Sequence, residues 1–444
     1  MSDWKKVKIG EIFKIEKGSL QSSKCIPGKY DFITAASEWK THESYSHECE
    51  AIVYAVAASG SLGRAHYVNG KFIASDLCFI LTEKDKEKYP INFQFYQLIF
   101  ELIREEIVSK TKTGTSKESI NQKNFSNYEI PYFSFDYQMA NYEKLVNTKQ
   151  KISELLEESE KQKSYAKQLR QNILQEAIEG KLTEEWRKEN PVVKGNPDFD
   201  AEALFEKIQE EKCHTDSELL RNSKKKEKSL PEITEDEKPF EIPEGWKWVR
   251  LGEIVYSVVY GTSSKCSYDS NQNSAILRIP NISLGYVDVS DLKYTNLSEI
   301  EKNELSLKEN DLLVIRSNGS PEIVGKMVYV PKKFENYCYA GYLIRLRFTI
   351  PSIGFYIGNI SNAKSLRNQI EEPLRSTVGI NNINSDEIKY LIFSLPPLAE
   401  QAEIVSRVEK LLANVTELEK QITEREEMTK QLMLSIMKDA FREV

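Results

Sequence analysis

Basic and amide side chains beside glycine are the residues of this chain that could do chemistry. In the first third of the sequence they are Ser59, Gly60, Ser61, Arg64, Lys112, Thr113, Gly114, Thr115, Ser116 and Lys117. Further along they are Arg278, Asn281, Arg316, Ser317, Asn318, Ser320, Lys326, Arg375, Ser376, Thr377, Asn381 and Asn382. Arginine and lysine can address guanine and asparagine adenine, while hydroxyls and backbone amides hold phosphates. These segments therefore predict contacts to nucleic acid, with plain hairpins and solvated cations as the alternative.

The sequence lacks the motifs of enzymes that act on nucleic acid. An adenine methyltransferase needs an Asn/Asp-Pro-Pro-aromatic motif and a glycine-rich cofactor loop, whereas Pro396-Pro397 follows leucine here. No G-x-x-x-x-G-K-S/T phosphate loop occurs either. The one compact His/Cys group is His42, His47 and Cys49, whose spacing matches no standard zinc pattern. We expect no catalytic residue, no metal site and no cofactor bound by this chain.

The elements that would position the basic segments occur twice. Trp4 to Ile12 resembles Trp246 to Ile254, and the strand and glycine turn that lead to Gly63 resemble those that lead to Gly325. Apolar residues also correspond at a constant offset, with Leu145, Ile152, Leu155, Leu169, Ile173 and Ala177 matching Val408, Val415, Leu418, Leu432, Ile436 and Ala440. A period far above the ~20–50 residues of solenoid repeats indicates duplicated domains.

Two stretches keep apolar residues on a seven-residue rhythm that is typical of long helices. Gln138 to Leu182 has no proline, and no glycine before Gly180, so it predicts a helix of about 45 residues and roughly 65 Å. The C-terminal stretch repeats the pattern. Two such stripes most economically bury each other as a coiled coil, with Ile152, Leu155, Val415 and Leu418 expected on the buried face.

These patterns divide the chain into five segments. We predict globular domains at 1–137 and 246–396, long helices at 138–182 and 397–444, and a connector with one amphipathic helix at 183–245. Within the first domain, Phe93 to Val108 is predicted to form one helix. The fold class is therefore α+β, with two globular mixed α/β domains separated by two long helices that form a coiled coil, and with an internal repeat.

Charge and composition are those of an ordinary protein of the cytoplasm, which is the expected location. The net charge is −7, and the excess acid lies in the connector and the last helix rather than in the predicted domains. The acidity does not exclude DNA. It does predict that this chain alone binds DNA weakly, since phosphate neutralisation supplies most nonspecific affinity.

Several motifs together resemble one family. They are Gly180-Lys181-Leu182-Thr183 with Trp186-Arg187, Ile242-Pro243-Glu244-Gly245-Trp246, and Leu395-Pro396-Pro397-Leu398-Ala399-Glu400-Gln401 before the last helix. With the duplication, this combination resembles the specificity subunit of type I restriction–modification systems. The first copy departs from the pattern, because the run that ends at Gln138 lacks the double proline.

The resemblance implies a non-catalytic reader of double-stranded DNA. Each globular domain would be a target recognition domain that reads one half of a split, asymmetric site. The long helices would be spacers that pair as an antiparallel coiled coil with a pseudo-two-fold internal repeat and set the distance between the halves. They would also dock two methyltransferase subunits, which a translocating restriction subunit joins, so S-adenosylmethionine, ATP and magnesium would belong to the partners. The alternative from another class is a scaffold whose twin domains bind proteins and leave no sequence-selective footprint on DNA.

Overall fold

The chain divides into two compact units. The computed structural model describes residues 4–57, 60–113, 118–219, 230–374 and 381–440. Unit 1 comprises Met1–Lys161 and Ile422–Val444, and unit 2 comprises Gln162–Gln421. Each unit combines strands and short helices with part of each of two long helices. This confirms the expected mixed α/β class with two domain regions.

Unit 1 is built around a six-stranded sheet in the order β2-β7-β5-β6-β3-β4. The strands of the first domain are β1 (Trp4–Lys8), β2 (Phe13–Lys17), β3 (Tyr30–Ile33), β4 (Lys40–His42), β5 (His47–Ala55), β6 (Ala65–Ala74), β7 (Cys78–Glu83), β8 (Lys112–Thr113), β9 (Ser119–Ile120) and β10 (Glu129–Phe133). Its helices are α1 (Ile9–Ile12), α2 (Phe93–Leu102), α3 (Arg104–Thr111), α4 (Gln122–Asn127) and α5 (Phe135–Ile178), the last of which continues into unit 2.

Alternation along β5 gives this sheet two buried faces. Ile52 and Tyr54 belong to one core, which also takes in α2, while Val53 and Ala55 belong to a second core on the other face. Successive side chains of a strand point to opposite faces, so an unbroken apolar run is what a central strand covered on both sides requires.

Unit 2 contains two short connector helices and the second domain. The helices are α6 (Glu184–Glu189), α7 (Ala201–Leu219), α8 (Leu251–Ile254), α9 (Ile279–Ile282), α10 (Glu299–Leu305), α11 (Pro351–Ile360), α12 (Lys364–Leu374), α13 (Ser385–Tyr390) and α14 (Leu398–Ala440), the last of which continues into unit 1. The strands are β11 (Lys247–Arg250), β12 (Val255–Tyr260), β13 (Ser274–Leu277), β14 (Lys293–Thr295), β15 (Leu312–Ile315), β16 (Ser317–Asn318), β17 (Met327–Tyr329), β18 (Cys338–Tyr339), β19 (Leu343–Phe348), β20 (Asn381–Asn382) and β21 (Ile392–Leu395).

The second domain repeats the plan of the first with smaller sheets. Its main sheet runs β12-β19-β15-β17, and a second sheet runs β14-β13-β18. β15 plays the part of β5, because Leu312 and Val314 lie in one core while Leu313 and Ile315 lie in another. In both domains the opening strand also pairs antiparallel with the closing strand, β1 with β10 and β11 with β21.

The two long helices start and stop close to the expected residues. α5 spans 44 residues and begins at Phe135, three residues before the predicted boundary, directly after β10 ends at Phe133. It ends at Ile178, and Gly180 then adopts a left-handed backbone with φ 74°, as expected at a helix C-terminus. α14 spans 43 residues and follows Pro396-Pro397 at once.

Three predictions about local structure need correction. The connector contains the expected amphipathic helix as α7, with Leu204 and Ile208 buried, but it also contains a second helix, α6, that was not predicted. The segment from Phe93 forms α2 and α3, because the backbone leaves the helix at Ile103 with φ −97° and ψ 16°. On the long helices Ile152 and Val415 are buried at 4% and 1% exposure, whereas Leu155 and Leu418 are 50% and 46% exposed and are not core. A seven-residue rhythm does not say how wide the covered stripe is.

In the part of the chain that the structure describes, no helix is both long and apolar enough to span a bilayer. The same residues include no group of three or more His, Cys, Asp or Glu side chains placed to hold a metal ion.

Candidate nucleic-acid interface

A tight glycine turn joins β5 to β6 in the first domain. Gly63 has φ 80°, which favours glycine, and its N–H donates to the Ala55 carbonyl at 2.8 Å. A Cβ on Gly63 would lie 2.6 Å from the Val108 side chain, so the turn packs closely on α3. Arg64 donates to the Ala35 carbonyl at 2.9 Å and to Ser61 Oγ at 3.3 Å. The predicted contact residue Arg64 therefore also braces the turn.

Arg104, which the sequence analysis did not single out, holds the same turn from α3. Its Nε donates to the Leu62 carbonyl at 2.7 Å and its Nη2 to the Gly60 carbonyl at 3.2 Å. Gly60 itself is exposed, with φ 79° and open space where a Cβ would lie. The hydrogen bonds from Arg104 thus hold the exposed end of the turn in place. The predicted contact residue Ser59 lies outside the described residues.

The second domain has the equivalent turn and the equivalent arginine. Gly325 has φ 73°, and its N–H donates to the Ile315 carbonyl at 2.7 Å. Arg367 on α12 donates to the Glu322 carbonyl at 3.2 Å. Arg104 and Arg367 are 263 residues apart, the same offset as Leu145 and Val408. The constant offset was therefore a signal that could have identified both arginines from the sequence.

A cavity of about 820 Å³ in the second domain brings together several predicted residues. Its described lining includes Arg278, Arg316, Ser317 and Asn382, together with Lys293 and Tyr342, and no carboxylate. Arg278 is paired with Asp291 at 2.7 Å, and this exposed carboxylate is not part of the lining. The cavity is therefore a basic, concave surface in a chain whose net charge is −7, as a site for a polyanion requires.

Two predicted contact residues have structural roles instead. Asn281 is 1% exposed, accepts from the Arg278 N–H at 2.8 Å and donates to the carbonyls of Asp288 and Asp291. Asn381 is 7% exposed and donates to the Gly319 carbonyl at 3.2 Å. Both amides are buried and hydrogen-bonded within the domain, so they support neighbouring loops rather than offer groups to a ligand.

The remaining predicted residues are divided between loops and undescribed segments. Lys112 pairs with Glu118 at 2.7 Å, and Thr113 donates to the Ser119 carbonyl at 3.3 Å. Asn318 accepts from the N–H of exposed Ser320 at 2.9 Å, and the Lys326 ammonium lies 3.5 Å from the Ser283 carbonyl oxygen. The following lie outside the described residues: Gly114, Thr115, Ser116, Lys117, Arg375, Ser376 and Thr377.

The first domain has a cavity of similar size but mixed charge. It measures about 800 Å³ and is lined by Arg64, Arg104 and Lys149 but also by Glu101 and Glu105. Trp39 donates to His66 Nδ1 at 3.2 Å at its edge, and burial lowers the pKa of His66, which favours the neutral ring. The two domains therefore present different chemistry on a common plan.

The motifs that carry the family resemblance meet at one buried carboxylate. Glu400 is 2% exposed and accepts hydrogen bonds from Thr183 Oγ1 at 2.7 Å, from Trp246 Nε1 at 2.7 Å and from the Arg187 guanidinium. Those donors come from the two ends of the connector, while Glu400 lies in the first turn of α14. The motif residues thus fasten the connector to the second long helix.

A buried glutamine marks the start of each long helix. Gln138 is 0% exposed and donates to the Phe133 carbonyl at 2.9 Å; Gln401, at 2% exposure, donates to the Pro396 carbonyl at 2.8 Å. Both pairs are spaced alike, and the two glutamines are again 263 residues apart. The contact ties the helix to the end of the last strand in the first copy and to the residue directly after that strand in the second.

Comparison with known proteins agrees with this architecture. Residues 1–174 and 243–427 match the family described as type I restriction modification DNA specificity domain. The EcoKI specificity subunit of Escherichia coli K12 is 30% identical over 336 residues, which cover 76% of this chain and 61% of that protein. The EcoDI specificity subunit of Escherichia coli is 23% identical over 99% of this chain and 88% of that protein. The alignment with EcoKI thus spans about three fifths of that relative.

Solved structures show the same fold at low sequence identity. A structure that describes complex assembly and conformational transition of the type I R-M system matches with TM-score 0.67 and 15% identity over 99% of this chain and 97% of that one. The HsdS subunit from Thermoanaerobacter tengcongensis matches with TM-score 0.51 and 16% identity over the same shares. Matched over both of its domains, the chain belongs to the family of type I restriction–modification specificity subunits.

Proposed function

We propose that this chain is the DNA sequence-recognition subunit of a type I restriction–modification complex, in which each domain reads one half of a bipartite, asymmetric site. The observation that carries the proposal is the repeated glycine turn, held from behind by Arg104 in one domain and Arg367 in the other. Two domains of similar fold but different surface side chains are what recognition of two unlike half-sites requires.

The basic cavity of the second domain favours DNA over a protein ligand. Its described lining holds three cationic side chains, Arg278, Lys293 and Arg316, without a carboxylate, although acidic residues outnumber basic ones in the whole chain, 68 to 61. Cations concentrated on one concave surface indicate a polyanionic partner. The duplex itself would supply the remaining affinity through its phosphates once partner subunits contribute further cations.

The long helices are proposed to form an antiparallel coiled coil that sets the distance between the half-sites. Within unit 2, Arg170 donates to Thr416 Oγ1 at 3.0 Å and to Glu419 at 2.9 Å, while Arg407 donates to the Leu182 carbonyl at 2.6 Å. These contacts support an antiparallel pairing, because residue 170 of α5 lies opposite residues 416 and 419, whereas residue 182, just beyond the end of α5, lies opposite residue 407. In the same unit Ile173 and Val415 share one apolar core.

Exposed apolar residues on the helices support docking of two identical partners. Unit 2 carries Tyr165, Leu169 and Leu418, with exposures of 63%, 44% and 46%. Unit 1 carries the equivalent positions of the repeat, which are Met428, Leu432 and Leu155 with exposures of 66%, 51% and 50%. Apolar side chains this exposed on both copies indicate a repeated binding surface. We propose that each surface receives one methyltransferase subunit.

A pair of substitutions on one helix separates the two roles of α14. Val415→Asp buries an unpaired charge in the core of unit 2 and should cost about 3–5 kcal/mol of unfolding free energy. Leu418→Asp, on the exposed side, should change that free energy by less than about 0.5 kcal/mol but weaken assembly with the methyltransferase. Urea unfolding and size-exclusion chromatography of the mixed subunits measure both effects. Normal assembly of both variants would contradict the proposed spacer and docking surface.

Catalysis is proposed to reside in the partners. This chain would contribute no catalytic residue and bind no cofactor, so S-adenosylmethionine would be bound by the methyltransferase subunits, and ATP and magnesium would be used by restriction subunits. The proposal rests on the absence from the sequence of a phosphate loop and of a methyltransferase motif.

Methylome sequencing tests the proposed function directly. Cells that carry this chain with its methyltransferase partner should methylate adenine in one bipartite sequence, and cells that carry the methyltransferase alone should not. The purified chain alone should methylate nothing. If the complex forms but leaves neither a methylated motif nor a sequence-selective footprint, the chain is a protein scaffold instead.

A further inference from the structure

Arg316 is fixed in place by two segments of the second domain. It lies between β15 and β16, its N–H donates to the Tyr342 carbonyl at 2.9 Å, and its own carbonyl accepts from the Ile383 N–H at 2.9 Å. A residue held on both sides of its backbone has little freedom left to reorient. Its side chain therefore enters the basic cavity from a rigid base.

The Arg316 guanidinium is stacked and oriented, and no carboxylate among the described residues pairs with it. Its Cζ lies 4.8 Å from the centroid of the Tyr260 ring, and the Tyr260 hydroxyl accepts from the Ser385 N–H at 2.9 Å. Arg316 Nε is buried and has no hydrogen-bond partner among the described residues. The plane of the guanidinium is thus set by an aromatic ring that is itself anchored.

Three other arginines of the second domain are already bonded to acceptors within the domain. Arg278 is paired with Asp291, and Arg347 is paired with Asp311 at 2.6 Å. Arg345 is 3% exposed and donates to the Glu304 carbonyl at 2.7 Å. In the described part of the cavity, Arg316 is the arginine whose guanidinium has no carboxylate or carbonyl bound to it.

We propose that Arg316 reads a guanine in the half-site of the second domain, an assignment that rests on the proposed DNA-recognition function. With Nε turned to the protein, the two terminal nitrogens are the donors left for a ligand. Guanine is the base that presents two acceptors, O6 and N7, side by side in the major groove, and this spacing matches the guanidinium fork. Lys293 in the same cavity would instead contact phosphate as a point charge.

The test compares DNA analogues with substitutions in the complete chain assembled with its methyltransferase. Once the methylome gives the target, 7-deazaguanine, which lacks N7, replaces each guanine of the second half-site in turn. Wild-type complex should lose roughly tenfold to a hundredfold in affinity at one position. Inosine at that position keeps O6 and N7 and should bind like guanine.

Arg316→Gln should lose that affinity on normal DNA and suffer no further loss from 7-deazaguanine at the same position. Arg316→Lys keeps the positive charge but not the two parallel donors of the guanidinium. It should therefore distinguish guanine from 7-deazaguanine only slightly better than Arg316→Gln does. Lys293→Gln should lower the affinity for all DNA sequences to a similar degree, and its complex should still lose affinity when 7-deazaguanine replaces that guanine. An unchanged midpoint of unit 2 in urea unfolding will show that the second domain of the Arg316 variants remains folded.

Two results would overturn the assignment. One is a 7-deazaguanine penalty that is equal in wild type and Arg316→Gln at every guanine, which would make Arg316 a phosphate contact only. The other is a second half-site without guanine. Neither is the same as failure of the proposed function, which would appear as a wild-type complex without any sequence preference.

Discussion

Replacing residues 1–137 with the corresponding domain of a relative is expected to change one half of the methylated sequence completely and leave the other half and the gap between them unaltered. The reason is that the first domain has cores of its own, around Ile52 and Val53, which share no residue with the cores of the second domain. Methylome sequencing of cells with the chimaera and its methyltransferase measures the outcome.

The reciprocal exchange of residues 246–396 provides the matched control. It should rewrite the other half-site and leave the first. Both junctions should retain the buried glutamines, since Gln138 and Gln401 tie each domain to its helix through the carbonyls of Phe133 and Pro396. A single exchange that alters both halves at once would be incompatible with two independent readers.

Removal of the buried carboxylate at Glu400 should be among the most destabilising single changes in the chain. Glu400→Ala leaves Arg187 without its ion pair and leaves the Trp246 N–H and the Thr183 hydroxyl without their acceptor. Loss of one partner of a buried ion pair costs about 3–5 kcal/mol, because the other charge stays desolvated. Urea unfolding of the full chain should show this loss as a lower transition midpoint of unit 2.

Glu403 is the matched control for Glu400. It lies one turn further along α14 and pairs with Arg407 at 2.5 Å near the surface, with side-chain exposures of 38% for Arg407 and 30% for Glu403. Glu403→Ala should therefore cost no more than about 1 kcal/mol. Glu400→Gln keeps the shape of the side chain without its charge and should fall between the two. Equal midpoints for Glu400→Ala and Glu403→Ala would show that the connector is held by other contacts.

The internal repeat of the sequence was informative because a residue type found at the same position of both copies indicates a shared structural role. Corresponding apolar residues predicted two similar domains and two long helices, and glycine at positions 63 and 325 predicted the turns. The same offset would have identified Arg104 and Arg367, since an arginine retained at both positions faces the same turn. What is common to both copies could therefore be predicted.

Burial and orientation could not be predicted, because they are decided by distant segments. Asn281 and Asn382 have the same amide, yet Asn281 is enclosed at 1% exposure while Asn382 lines the basic cavity. Leu155 and Ile152 follow the same rhythm, yet only Ile152 is covered. Residue type gives the hydrogen bonds that a side chain can make, and tertiary packing decides which partner receives them.

Discontinuity of unit 1 has a consequence for the newly made chain. This unit joins residues 1–161 to residues 422–444, so its last helical segment is synthesised only after all of unit 2. Until then residues 1–161 lack the contacts that residues 422–444 make with them in the compact unit. Pairing across so long a stretch of sequence is slow and leaves apolar surface open to aggregation. A message cut short after residue 421 should therefore yield a chain that chaperones hold and proteases remove, even though both globular domains have been made in full.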